Sequence, residues 1–486
     1  MLRFALFALA LLAAPGAFAQ TVHNPLLSAQ ETIAARGATA PATLRLRYSY
    51  AMTGPREEQG EWTIDVAADW AFVRFGEYAR LFDFRINRAF DITAQGFISH
   101  NLAANPAFLI YELQNRSILM RTIGAIGDVP FDACDAQSEM GLMIPAMGDR
   151  AETRLRSTRG GAQLECNGRD AGRYEAGEGA APPAALWPTM AHVMRVHPAL
   201  REHMAASGRA PRLLESRYRL APGLVTQTWR LTAAEAVETP YPLTESRANV
   251  TATAIDDAVT SPGFGALAAE AVAGRALGGP PTWVSLNAQL RRTREERGAV
   301  AAALDLFSYS AVFPDFVERC VIDETQFACA LIREFGALVG TEPALRGYMT
   351  IMQAERTDNL SIAVPAMAEV RQTPFRDHPA ILASFALALA AGGGELQQQA
   401  QAAGVPHEPI PLQVTALRVM PYAPSYWTDI GDTFVRELRY PEAFLFYDIA
   451  AALPVDSARN LQGPVARPVN LASRIRTDFP YFFLGQ

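Results

Sequence analysis

Residues 424–456 read PSYWTDIGDTFVRELRYPEAFLFYDIAAALPVD and lie near the end of a long stretch of one character. From residue 281 onward, six segments space their apolar residues at helical intervals, with breakers between them: Trp283 to Glu296, Ala299 to Phe313, Gln326 to Ala337, Pro343 to Ala354, Pro379 to Ala391 and Val414 to Met420. Within 424–456 the large residues are Trp427, Ile430, Phe434, Tyr440, Phe444 and Tyr447, and the small ones Gly431, Ala443 and Ala450. Upstream of about residue 240 the pattern is of another kind. Leu44, Leu46, Tyr48, Tyr50 and Met52 alternate with polar or small residues, the period of a half-buried strand.

The order Trp427, Ile430, Gly431, Phe434, Tyr440, Ala443, Tyr447, Ala450 resembles the signature of a tetratricopeptide (TPR) repeat, with Pro454 one residue early and Leu438 where a turn glycine is usual. Ala416, Leu417 and Pro421 match the end of a preceding repeat, so the resemblance covers about residues 416–456. It implies a helix–turn–helix unit that cannot bury its apolar face alone, stacked neighbours, and a grooved surface for a partner. In such a unit Gly431, Ala443 and Ala450 let the helices approach, and Trp427, Ile430, Phe434, Tyr440, Phe444 and Tyr447 pack between neighbours. The resemblance puts partner recognition on the inner helix, at Asp429, Asp432, Thr433 and Arg436.

In the N-terminal half, strands are expected around Leu44–Met52, Trp62–Val66, Trp70–Phe75, Leu81–Ile92 and Phe97–Leu102. A helix starts at Pro106, and a hairpin turns at Gly160-Gly161. A helix over Ala185–Ala206 and a hairpin from Leu214 to Leu231 follow. The expected fold is α+β. A sheet-rich antiparallel domain over 41–240 is followed by a linker with one short helix at 241–280, then an all-α TPR-like solenoid over 281–486.

The first twenty residues carry Arg3, an apolar core from Phe4 to Ala14 and Ala17-Phe18-Ala19 before Gln20, the pattern of a cleaved secretory signal. No later apolar run reads as long enough to cross a bilayer. The expected location is therefore periplasmic or secreted, in a bacterial envelope. Losing Arg3 takes the formal charge from −7 to −8, and no basic patch interleaved with aromatics suggests nucleic acid as a partner. All 43 basic residues are arginines. That excludes Schiff-base and pyridoxal chemistry, Walker-A nucleotide binding and Ser-x-x-Lys acyl transfer. Four cysteines in an oxidising compartment are expected to pair within each half, Cys134 with Cys166 and Cys320 with Cys329. The second pair needs a turn at Asp323-Glu324-Thr325, because nine residues of straight helix span about 13 Å.

Other candidates weigh less. His192, His197 and His203 are spaced by five and six, which does not gather them on one helix face. Asp132, Asp135 and Glu139 lack the loop pattern of a calcium site. Gly263-x-Gly265-x-x-Ala268 lacks the strand a dinucleotide site requires. No nucleophile, metal or cofactor motif is found, so no catalytic residue, metal or cofactor is assigned. Tyr48, Tyr50, Trp62, Trp70, Phe72, Phe82 and Phe84 offer a lining for an apolar cavity, in outline like periplasmic lipid or lipoprotein carriers. The first expectation for function is an exported scaffold that binds an envelope protein. A carrier or sensor of an apolar ligand comes second, and an envelope hydrolase without a recognisable motif third.

Overall fold

A computed structural model describes residues 24–123, 132–142, 152–220, 223–313, 315–323, 325–455 and 466–484. The expected signal at 1–20 lies outside the described residues. The helix α1 (Ala29–Arg36) opens with a capping box in which Ser28 and Glu31 satisfy each other's backbone donors. Six strands follow: β1 (Ala42–Thr53), β2 (Glu58–Val66), β3 (Trp70–Phe75), β4 (Tyr78–Asp83), β5 (Arg88–Ile92) and β6 (Phe97–Asn101). Helices α2 (Ala104–Ile123) and α3 (Ala133–Met140) lead to β7 (Thr153–Thr158), β8 (Gly161–Cys166) and β9 (Arg169–Ala176). Then come α4 (Leu186–Val193), α5 (Pro198–Ala206), β10 (Pro211–Leu220) and β11 (Gly223–Thr239). All eleven strands form one antiparallel sheet in the order β6-β5-β4-β3-β2-β1-β11-β10-β9-β8-β7, so the long pair β1·β11 joins two meanders at its centre.

Two details depart from the expected strands. The run Leu81–Ile92 is two strands, because the Asp83 carboxylate accepts from the backbone of Arg85 and Ile86 and Asn87 turns at φ 54°. Strand β9 carries its buried signal only at Ala171 and Tyr174, between charged residues and Gly172.

The pleat sends alternate side chains to opposite faces. Tyr48, Tyr50, Ile64, Val73, Phe82 and Phe84 meet α2, α3, α4 and α5 in the main core. Trp70, Leu81, Phe90 and Phe97 form a smaller core on the other face with Tyr241 and Leu243. The proposed single aromatic cavity is therefore corrected: Trp70, and Phe72 packed beside it, stand on the face opposite Tyr48, Tyr50, Phe82 and Phe84.

The rest is helical: α6 (Thr251–Val259), α7 (Phe264–Val272), α8 (Trp283–Ser310), α9 (Phe316–Ile322), α10 (Phe327–Thr341), α11 (Pro343–Arg356), α12 (Ala363–Val370), α13 (Pro379–Ala402), α14 (Pro409–Val419), α15 (Pro424–Arg436), α16 (Tyr440–Ala452) and α17 (Ala466–Asp478). Two of these are really folded pairs. Gly298 (φ 89°) reverses the chain inside α8, so that Thr293 meets Asp305 (2.9 Å) and Gln289 meets Tyr309 (2.6 Å), each pair equidistant from residue 299. Gly393 (φ 60°) breaks α13, which by length and composition is apolar enough to cross a membrane and is mostly buried in the protein.

The expected linker at 241–280 is not one. Its helices α6 and α7 pack as a hairpin in which a side chain on Gly265 would strike the Ala252 carbonyl, and Phe264 stacks on Trp427 (5.3 Å, 29°). Tyr422 donates to the Ala276 carbonyl at 2.9 Å. The main core runs without a break from the sheet through these helices to Trp427, Phe446 and Ile449. At this junction Arg88 of β5 pairs with Asp448 of α16, both buried, and Asn101 Nδ2 donates to Asp448 at 2.8 Å. A second helical core gathers Leu304, Tyr348, Met367, Phe385 and Leu389.

Both disulfides close within their own halves. Cys134–Cys166 (Cα–Cα 5.8 Å) ties α3 to β8, and Cys320–Cys329 (5.4 Å) ties α9 to α10. The Asp323 carboxylate makes the intervening turn by accepting from the Thr325 backbone (3.0 Å). Such bonds fit an oxidising compartment.

Candidate functional site

The helices α15 and α16 form the hairpin of the quoted stretch. Trp427, Ile430, Phe434, Tyr440, Ala443, Phe444, Tyr447 and Ala450 are all buried. A Cβ on Gly431 would lie 2.3 Å from the Tyr447 ring, so only glycine allows this approach. The turn between the helices places Leu438 at φ 64°, a conformation that costs a side-chain-bearing residue about 1–2 kcal/mol. Leu438→Gly should therefore raise stability by about 0.5–1 kcal/mol, less than the strain because glycine also loosens the unfolded chain. An unchanged or lower urea midpoint would count against that strain.

The four residues expected to meet a partner divide. Thr433 is 3% exposed, accepts from Gln413 Nε2 at 3.2 Å and donates to the Asp429 carbonyl, so it is corrected to a packing residue. Asp432 accepts from the Tyr447 hydroxyl at 2.5 Å and braces the hairpin. Asp429 is half-buried, and Arg436 alone of the four is exposed.

The apolar surface of the helical region lies elsewhere. Val284 is 78% exposed, Val321 83% and Ile322 85%. Val321 and Ile322 end α9, directly after Cys320 of the disulfide. The same helix touches the start of α8, for the Arg319 guanidinium lies over the Trp283 ring (5.4 Å) and the Phe313 ring (5.8 Å). Arg319 also bonds Asp315 at 2.9 Å. The disulfide and this stacked arginine tie the tip to α8 and α10 while its aliphatic side chains face water.

The remaining candidates have structural partners. His192 lies between Phe82 and the C-terminal residues, and burial, with Arg80, Arg195 and Arg201 nearby, lowers its pKa to about 3. His197 caps α5 and bonds Gln137 at 2.9 Å; burial, then Arg201, lowers it to about 4. His203 meets the Tyr174 hydroxyl at 2.7 Å. Asp132 caps α3, and with Asp135 it is paired to Arg169. The backbone donors of Gly263 and Gly265 are taken by the Asp256 carboxylate at 2.9 and 2.6 Å, which fills the place an anion would take at that helix start. Among the described residues no cluster of His, Cys, Asp or Glu can hold a metal ion.

One arrangement had no sequence signal beyond a density of aromatics. The terminal segment Phe479 to Leu484 docks on α4 of the sheet domain. Its seat comes from residues nearly 300 positions earlier, which no local pattern could bring together. No protein-family model matches the chain, and no curated protein matches its sequence.

Proposed function

We propose that this chain is an exported binding scaffold that takes a polypeptide partner of the cell envelope on its helical hairpins. The observation that carries the reading is the disulfide-closed tip at α9 with Val321 and Ile322 in solvent, near the exposed Val284. Exposed aliphatic residues held on a braced tip favour a partner that buries them. Helical-hairpin arrays present extended surfaces of this kind, and the TPR-like stretch supports the same reading. The partner face is then the α8–α9–α10 end, with Arg436 as an outlying contact.

The test uses the whole chain, because a fragment starting at 281 would strip Phe264 from Trp427 and Arg88 from Asp448. A photocrosslinking residue at Val284 should capture one envelope protein in cells, and Val321→Asp with Ile322→Asp should reduce that capture at least tenfold. Capture that is indifferent to both substitutions would sink the reading.

A second reading has one observation in its favour. Among the described residues the indole nitrogens of Trp62 and Trp229 are buried without hydrogen-bond partners on the helix-covered face of the sheet, beside Tyr50 and Phe75. An apolar ligand with a carbonyl oxygen would satisfy them. Mass spectrometry of organic extracts tests this: a stoichiometric lipid favours the carrier, and an empty protein counts against it.

A further inference from the structure

Phe479 to Leu484 lie as a strap over His192 of α4 and Arg201 of α5. Three contacts hold it. His192 Nε2 donates to the Phe482 carbonyl at 3.0 Å, while its Nδ1 faces the Asn105 amide at 3.3 Å, so the ring is the neutral Nε2–H tautomer. The Phe482 ring is fully buried, edge-on to His192 (5.1 Å, 62°), and His192 in turn stacks on Phe82 (5.0 Å). The Arg201 guanidinium sits 3.8 Å above the Tyr481 ring.

The strap leaves its seat incompletely satisfied. Arg201 is only 4% exposed, yet among the described residues it has no carboxylate partner. Its Nη1 donates to the Gly141 carbonyl at 2.8 Å; among the described residues its Nε and Nη2 meet no carbonyl or carboxylate oxygen, only the neutral Tyr481 hydroxyl nearby. One helical turn away, Gln137 bonds His197 through Oε1, and its Nε2 is also buried and unpaired. Ser138 Oγ, next on the same helix, is unpaired as well. Gln137–His197 and Gly141–Arg201 are successive rungs between α3 and α5, which places Gln137 and Arg201 one helical turn apart. A buried cation and several unpaired polar groups with no anionic partner among the described residues are costly unless an anion arrives. The Tyr481 ring face offsets only part of that cost.

We propose that the seat under the strap is a peptide-recognition site, and that the chain's own tail is its weak resident occupant. The stronger occupant is a segment with two adjacent aromatic residues and a carboxylate. One ring would lie on Arg201, the next beside His192 with its carbonyl on Nε2, and the carboxylate would meet Arg201 Nε and Nη2, Gln137 Nε2 and Ser138 Oγ. Two parallel bonds from a guanidinium to a carboxylate are strong and geometrically selective. This inference does not depend on the α8–α9–α10 face, and its failure would leave that reading untouched.

Two labelled peptides test it on the full-length protein by fluorescence anisotropy. One has the tail sequence DFPYFFLGQ; the other carries 4-carboxyphenylalanine in place of Tyr481. The carboxylated peptide should bind at least tenfold more tightly. Phe482→Ala, which loosens the resident strap, should tighten both by a similar factor, since the cost of displacing it falls. Arg201→Gln should remove the difference between the peptides. In the unaltered protein, saturating carboxylated peptide should speed hydrogen exchange at the Phe482 and Phe483 amides, a reading that needs no variant to fold. Equal affinity for the two peptides, or unchanged exchange at those amides, would overturn the proposal.

Discussion

Asp448→Ala should lower the unfolding free energy by about 3–5 kcal/mol, the range expected when one partner of a buried ion pair is removed. The reason lies on the other side of the junction. Arg88 has almost no solvent access, its Nε is spent on Ser99 at 3.1 Å and, among the described residues, its Nη2 is already unpaired. Without Asp448 its charge has no compensation and no water, and Asn101 loses its acceptor too. The double variant Arg88→Met with Asp448→Leu should regain most of the loss, since an apolar pair of similar volume removes the charge along with its partner. Urea unfolding followed by circular dichroism and tryptophan fluorescence measures both. If Asp448→Ala lies within about 1 kcal/mol of the parent, the pair does not hold the sheet to the helices.

Acid should have a comparable effect. His192 titrates at about 3 and His197 at about 4 in the folded protein, against an ordinary value near 6.5. Below pH 6.5 the unfolded chain takes up protons that the folded chain refuses, so stability falls as pH falls. Each group approaches about 1.4 kcal/mol per pH unit once the pH lies well below 6.5, so the two together should remove about 3 kcal/mol between pH 6.5 and 5. The loss ends for each group at its folded pKa. Asp91, which burial would raise but the His100 and Arg80 hydrogen bonds hold well below the usual carboxylate range, adds a further loss only below about pH 4. His192→Gln, whose amide can still donate to Phe482, should remove about half of the slope above pH 5. A urea midpoint that stays level from pH 7 to 5 would refute the assignment.

The sequence was legible where the cause is local. Alternation placed most strands because each has one face on a core: Tyr48 and Tyr50 in β1, Trp229 in β11, and Ala162 and Leu164 in β8. It failed at β9, where Ala171 and Tyr174 are too few to show a period, and at Asn87, where a side-chain bond from Asp83 cuts one apolar run into two strands. Breakers placed the helical turns at Gly298 and Gly393, and the packing residues from Trp427 to Ala450 are buried because small and large side chains alternate on facing helices. The candidate sites were far less legible. Thr433 and Asp432 look solvent-facing in the sequence, and their burial or bracing depends on Gln413 and Tyr447 from other helices.

By itself, then, the sequence determined the order of a sheet-rich half and a helical half, the two disulfide pairings and the absence of lysine chemistry. Each follows from spacing, composition or residue type along a short span of chain. Only the tertiary structure decided that residues 241–280 are part of the core and that Arg88 meets Asp448 across 360 positions. It also decided that the terminal aromatics lie on His192 and Arg201. Those contacts join residues hundreds of positions apart, and no local pattern records them. They exist because one continuous apolar core draws the sheet, the helices and the tail together, and buried charges must then find partners wherever the packing leaves them.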